Sequence, residues 1–191
     1  MNTPIFGDRT CLLGPHGSGK SSLGRALIAH GYEHIDVGAV SRLARRNLIP
    51  SNIPGRLRIL LTRHVPGTPL DPLTVKELLE HIRSRPRIVV NGFPASVEHL
   101  DAIGALDELS FVYVHTPRPE REARLILRAQ TTPRGWQPGG RSERDLALPN
   151  LCRSLRERGT LRFFSNSATP LRLDLDVVQS SFHGGQACKQ T

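Results

Sequence analysis

Lysine is scarce in this chain: only Lys20, Lys76 and Lys189 occur among 26 basic residues, so arginine carries the net charge of +9. Arginine suits the bidentate grip of phosphates, although a general bias toward arginine gives the same composition. Cysteine is equally rare. Cys11, Cys152 and Cys188 are too few and too scattered for a disulfide framework or a zinc site. Cys11 lies in an apolar run and reads as a small core residue, in keeping with a reducing compartment. Aromatic residues make up 5% of the chain, and Trp136 is the one tryptophan. No basic stretch is interleaved with aromatics and the arginines are spread along the sequence, which argues against a nucleic-acid footprint. No run approaches the roughly 20 apolar residues of a membrane span, and the first residues lack the apolar core of a signal peptide. A soluble, cytoplasmic protein is expected. With 191 residues and no internal repeat, one domain is the natural expectation.

What is present is an alternation. Short apolar runs bounded by turn residues predict strands at 10–13, 34–36, 87–91, 111–115 and 171–175. Helical periodicity predicts helices at 21–30, 40–46, 55–63, 73–83, 97–105, 119–129 and about 146–158. Strands alternating with helices imply βαβ units, hence an α/β three-layer sandwich around a five-stranded parallel sheet. Ligands then belong at the carboxyl ends of the strands. Two stretches interrupt the alternation. Residues 47–72 are rich in proline and arginine, and residues 130–140 hold Pro133, Gly135, Pro138, Gly139 and Gly140. The first predicts a small helical excursion over the site (about 38–72), and the second a short lid (about 129–145) able to exclude water. A single domain over 1–178 would then be followed by a polar tail at 179–191.

Residues 14–21 read Gly14-Pro15-His16-Gly17-Ser18-Gly19-Lys20-Ser21, between the apolar run Cys11-Leu12-Leu13 and a helical pattern that includes Ser22. This strand, glycine-rich loop and helix order is that of a phosphate-binding P-loop. Backbone N–H groups must wrap a triphosphate, and side chains at Gly14, Gly17 and Gly19 would block that approach. Lys20 brings a point charge to the outer phosphates, Ser21 a hydroxyl where Mg2+ is held, and the helix dipole its positive end. His16 is expected at the surface and Arg121 in solvent. Asp36, at the end of the second predicted strand, reads either as a turn or N-cap aspartate or as a carboxylate facing the cleft.

With the P-loop, the excursion, Asn91-Gly92-Phe93-Pro94 and the arginine-bearing lid in this order, the chain resembles the adenylate kinase and nucleoside monophosphate kinase family over about 10–175. The resemblance implies ATP as donor, Mg2+, a nucleotide or small-molecule acceptor, and a monomer. Gly38 and Arg42 match the family's acceptor-phosphate element, and Gly67 to Leu70 resembles a wall of the acceptor pocket. Arg124 and Arg128, one turn apart, match arginines at the lid hinge. Arg141 matches an arginine of the lid's return arm, and Arg153 fits another phosphate-binding position with one residue inserted. Where the family has Asp-Gly-Phe-Pro-Arg, this chain has Asn91 and Ala95, losing an acidic group near the metal and an acceptor clamp. Asn91 still offers an amide oxygen to orient a metal-bound water. Ala39 replaces an aspartate, and His99 stands where adenylate kinases place a base-reading glutamine.

Three readings follow. A phosphate acceptor is already anionic and needs no base, so Lys20, Arg124, Arg128, Arg141 and Arg153 would neutralise charge while Arg42 holds a nucleoside monophosphate. A hydroxyl acceptor, as in kinases resembling the shikimate and gluconate families, requires a carboxylate, and Asp36 stands where those kinases carry one. In the third, Asn91 and Ala95 mark a catalytically degraded nucleotide-binding protein.

Overall fold

The computed structural model describes residues 5–46, 48, 52–65, 68–131 and 143–167. The predicted strand at 171–175, the central lid residues including Arg141, Gly67 and the tail lie outside the described residues.

Five parallel strands form one sheet in the order β2-β3-β1-β4-β5: β1 (Arg9–Leu13), β2 (Glu33–Asp36), β3 (Ile88–Asn91), β4 (Ser110–His115) and β5 (Leu161–Ser165). The helices are α1 (Lys20–Ile28), α2 (Val37–Ala44), α3 (Gly55–Arg63), α4 (Pro72–Arg83), α5 (Glu98–Ile103), α6 (Arg118–Thr131) and α7 (Glu143–Glu157). The predicted elements before residue 160 recur with ends displaced by a few residues, and α3 falls on its predicted bounds. The fifth strand differs. Leu161–Ser165 pairs along β4, from Phe111 opposite Leu161 to His115 opposite Ser165. Its residues read Leu-Arg-Phe-Phe-Ser, with Phe163 exposed and Phe164 buried, so its apolar signal is diluted by the pleat of an edge strand.

Side chains alternate across the pleat and so sort into two cores. One face gathers Cys11, Leu13, Ile35, Ile88, Val90 and Phe111 with Leu57 and Leu61 of α3, Leu78 and Ile82 of α4, and Leu151 and Leu155 of α7. The other gathers Leu12, Val89, Val112 and Val114 with Leu23 and Leu27 of α1. The strands are covered on both faces, which is why they read as continuous apolar runs. The predicted excursion is anchored, because the buried residues of α3 belong to the first core. Burying each such leucine contributes roughly 2 kcal/mol.

Two helices start at aspartate caps. Asp71 caps α4 by accepting from the amides of Leu73 (3.1 Å) and Thr74 (3.0 Å), with Pro72 at the first helical position. Asp36 caps α2, its Oδ1 accepting from the Ala39 amide at 2.9 Å. In the sheet order, β1 has β3 on one side and β4 on the other, so the loop after β1 opens where the connections change direction.

Candidate active site

The loop joining β1 to α1 has the backbone of an anion cradle. Gly14, Gly17 and Gly19 have φ values of 134°, 80° and 89°, a region that side chains resist. A Cβ on Gly14 would stand 2.6 Å from the Val114 carbonyl oxygen, one on Gly17 2.9 Å from that of Arg121, and one on Gly19 would collide with the Asn166 carboxamide. The loop is also tied to the far edge of the sheet. Asn166, just after β5, donates from Nδ2 to the Ser18 carbonyl at 2.8 Å, and the buried Thr116 hydroxyl bridges the Ser18 (3.0 Å) and Asn166 (2.9 Å) carbonyls. Neither residue carried a motif, so sequence reasoning missed both.

Lys20 is folded back onto its own loop, its Nζ donating to the carbonyls of Gly14 (2.6 Å) and Pro15 (2.7 Å) and lying 3.4 Å from Ser18 Oγ. Burial, then the nearby Arg144 cation, lower its pKa to about 7, against the pull of Asp145 and Asp36. Ser22 is exposed beside Arg25. His16 is not simply a surface residue: its Nδ1 meets Asp145 Oδ2 of α7 at 2.6 Å. Arg121 is half-buried, its NH1 3.5 Å from the His16 carbonyl, which corrects the expectation of a solvated side chain.

The ends of β2 and β3 bring Asp36 opposite Asn91. Ser21 donates its hydroxyl hydrogen to Asp36 Oδ2 at 2.6 Å, so this carboxylate both caps α2 and faces the P-loop serine. Burial alone would raise its pKa; the Ser21 and Ala39 hydrogen bonds and the Arg42 and His34 charges outweigh this and hold it below the usual carboxylate range. Arg42 is beside it, since a Cβ on Gly38 would stand 3.3 Å from Arg42 NH1 and 3.6 Å from Asp36 Oδ1. Asn91 is 2% exposed, and among the described residues its carboxamide makes no hydrogen bond of ordinary geometry. His34, lying against Gly24 of α1, is its polar neighbour from β2 and interacts with it as a side-chain hydrogen-bond partner.

The expected acceptor wall is built differently. His99 is 4% exposed and takes the Ala95 amide on Nδ1 at 3.1 Å, while its Nε2 faces the Leu70 carbonyl at 3.0 Å. A ring nitrogen facing a carbonyl must carry its hydrogen, so the imidazole is neutral. Burial lowers its pKa in the same sense. With both nitrogens committed and the ring stacked on Phe93 at 5.4 Å, His99 is a strut between two loops and has no nitrogen left to read a base. Phe93, Pro94 and Leu70 are likewise buried, and Phe93 and Leu70 belong to the core. Gly92 takes φ 94° and lies against Arg144 and Val37.

On the lid side, Arg124 reaches the loop. Its NH1 lies 3.5 Å from where a Cβ on Gly19 would stand and 3.4 Å from the Thr116 hydroxyl, and its NH2 is 3.4 Å from the Asn166 carbonyl. Arg128 is one turn further along α6 and exposed. Arg153 is exposed on α7, nine residues beyond Arg144 with the internal Pro149 between them. Arg144 takes a place in the cleft that sequence reasoning left empty. Its NH1 lies 3.2 Å from where a Cβ on Gly92 would stand, and Asp36 and Asp145 are the acidic groups that act on it.

Among the described residues, no three histidine, cysteine, aspartate or glutamate side chains gather into a metal site, and no helix is long and apolar enough to cross a membrane. The sequence matches no protein-family model and no curated protein. Among solved structures, the chain is similar to a gluconokinase from Sinorhizobium meliloti 1021, at 21% identity and a TM-score of 0.55, over 92% of this chain and 91% of that one. The likeness establishes the architecture, and the chain has the fold of a P-loop kinase sandwich.

Proposed function

We propose that this chain is an ATP-dependent phosphotransferase that moves the γ-phosphoryl group to a hydroxyl of a small polar acceptor. The observation that carries the choice of acceptor is Asp36, an ionised carboxylate 2.6 Å from the P-loop serine at the mouth of the cleft. A phosphate acceptor has no use for a base, whereas a hydroxyl must lose its proton. The gluconokinase likeness supports the same choice. The nucleoside monophosphate reading loses its base reader at His99 and its acceptor clamp at Ala95.

Donor binding rests on the glycine cradle and on Lys20, a cation whose pKa burial and the neighbouring Arg144 lower to about 7. The residues present fit Mg2+, a hard cation that prefers oxygen ligands. The Ser21 hydroxyl would hold it directly, and Asp36 and the Asn91 carboxamide opposite it would orient its waters. When bound, the ion would offset the charge of the phosphate groups. Each Asp36 oxygen keeps a lone pair beyond those used by Ala39 and Ser21. As the acceptor oxygen bonds to the γ-phosphorus, the bond from phosphorus to the β–γ bridging oxygen breaks. ADP leaves with that electron pair, and the hydroxyl proton passes to Asp36. Arg42, beside Asp36, would steer a polar or anionic acceptor, and Arg124, Arg128 and the lid's Arg141 would offset donor charge.

The test is a Mg2+-dependent ATP-consumption screen against nucleoside monophosphates, nucleosides, small polyols and sugar acids, with Lys20→Ala as blank. Turnover with hydroxyl compounds is expected. Turnover confined to a monophosphate would overturn this reading in favour of a nucleotide kinase. Silence with intact ATP binding would favour a binding role.

A further inference from the structure

We propose that Arg144 is the residue that grips the γ-phosphoryl group at the point of transfer. The inference rests on the donor-site reading above and assigns a role to a side chain that no motif singled out.

The first argument is location. Transfer must occur between the donor charge of Lys20 and the acceptor carboxylate Asp36, and Arg144 acts electrostatically on both. Its guanidinium is stacked over Gly92, with NH1 at 3.2 Å and Cζ at 3.7 Å from a Cβ position that glycine leaves empty. Gly92 directly follows Asn91, which stands opposite Asp36 at the end of β3.

The second argument is the lack of a structural reason for the charge. Arg144 is the second residue of α7, where the helix dipole disfavours a cation. Its burial opposes the charge as well. A structural arginine in such a place is held by a bidentate carboxylate. Among the described residues, no carboxylate forms an ion pair with Arg144 and no hydrogen bond engages its guanidinium. Asp36 and Asp145 act on it only through space; Asp36 is taken by Ser21 and Ala39, and Asp145 by His16. Arg144 and Lys20 are like charges at one end of the sheet, and the Arg144 cation lowers the Lys20 pKa. A polyphosphate between them offsets that repulsion, and its terminal group matches the planar donor fork of a guanidinium. In the transfer step Arg144 forms and breaks no bond; it offsets the charge on the equatorial oxygens as phosphorus passes from the bridging oxygen to the acceptor oxygen.

The role is read without knowing the acceptor. Mg2+-dependent binding of ADP and of the non-hydrolysable ATP analogue with an imido β–γ bridge is measured by titration calorimetry for the wild type, Arg144→Ala and Arg144→Lys. Loss of a charge-assisted contact to the γ-phosphoryl predicts a fall of about tenfold or more in analogue affinity in Arg144→Ala. ADP affinity should stay within about twofold, and Arg144→Lys should recover part of the loss, since it restores charge without the fork. Unchanged analogue affinity in Arg144→Ala, or equal loss for both nucleotides in the folded Arg144→Lys protein, would overturn the assignment to Arg144 alone. A wild-type protein that binds neither nucleotide would overturn both this role and the donor reading beneath it.

Discussion

The two halves of the cleft are built by different means. On the proposed donor side, one contiguous stretch holds a strand end, three glycines, a lysine and a helix N-terminus. On the proposed acceptor side, residues come from β2, α2, the loop after β3 and α7, and several are already engaged with one another. A backbone cradle tolerates variation around it because its geometry is local. A convergent pocket depends on every element that delivers a side chain, so its chemistry changes when one delivery changes.

The largest test of this contrast is Lys20→Ala. ATP-dependent turnover should fall by about a thousandfold or more, as expected when a preorganised charge on the transferred group is removed. Near-normal turnover with an intact circular dichroism spectrum would break the donor half of the comparison. Asp36→Asn comes next. Asparagine can still cap α2 but takes up no proton, so kcat should drop about 100-fold or more with the affinity for ATP little changed. Asp36→Ala adds a cap loss of about 1 kcal/mol, visible in chemical denaturation, and a matching stability loss in Asp36→Asn would mean that the carboxylate serves structure alone.

The lowered pKa of Lys20 sharpens the donor side through pH. In the free protein Lys20 loses its proton as pH rises through about 7. A bound polyphosphate favours the protonated form, so binding above that pH takes up a proton, and ATP affinity weakens as pH increases, by at most about tenfold per unit. Calorimetry at pH 8 in two buffers of different ionisation enthalpy should report this uptake, and Lys20→Arg should abolish it. The smallest effect on chemistry is expected at His99. His99→Ala should cost about 2–4 kcal/mol of stability, because it leaves a buried amide and carbonyl unpaired and opens a void beside Phe93. The preference among nucleotide bases should not move, and a shift in that preference would return His99 to the ligand.

These contrasts also explain what could be read in advance. The P-loop, the alternation of elements and the cap at Asp36 are local patterns whose physical cause lies within a few residues. Ser21 and Asp36 were each visible as candidates, but their 2.6 Å contact depends on the register of β2 against β3 and was not. His99 matched a family position for base reading, yet its fate was decided by the carbonyl of Leu70, 29 residues earlier. Arg144 was one arginine among many; only the bare Gly92 across the cleft distinguishes it. The edge strand Leu161–Ser165 escaped notice because its pleat exposes alternate residues, including Phe163. Thr116 and Asn166 hold the loop through backbone carbonyls, contacts that residue type alone does not announce.

The His99 strut has a consequence for anyone re-engineering this cleft. One imidazole spans from the Leu70 carbonyl to the Ala95 amide, so the separation of those two loops is set by the width of a five-membered ring. It works as a spacer of fixed gauge. Acceptor preference is then open to redesign at positions such as Arg42 and Ala39, with the frame left standing. An exchange at His99 itself would alter the distance between the loops before it altered any contact with a ligand.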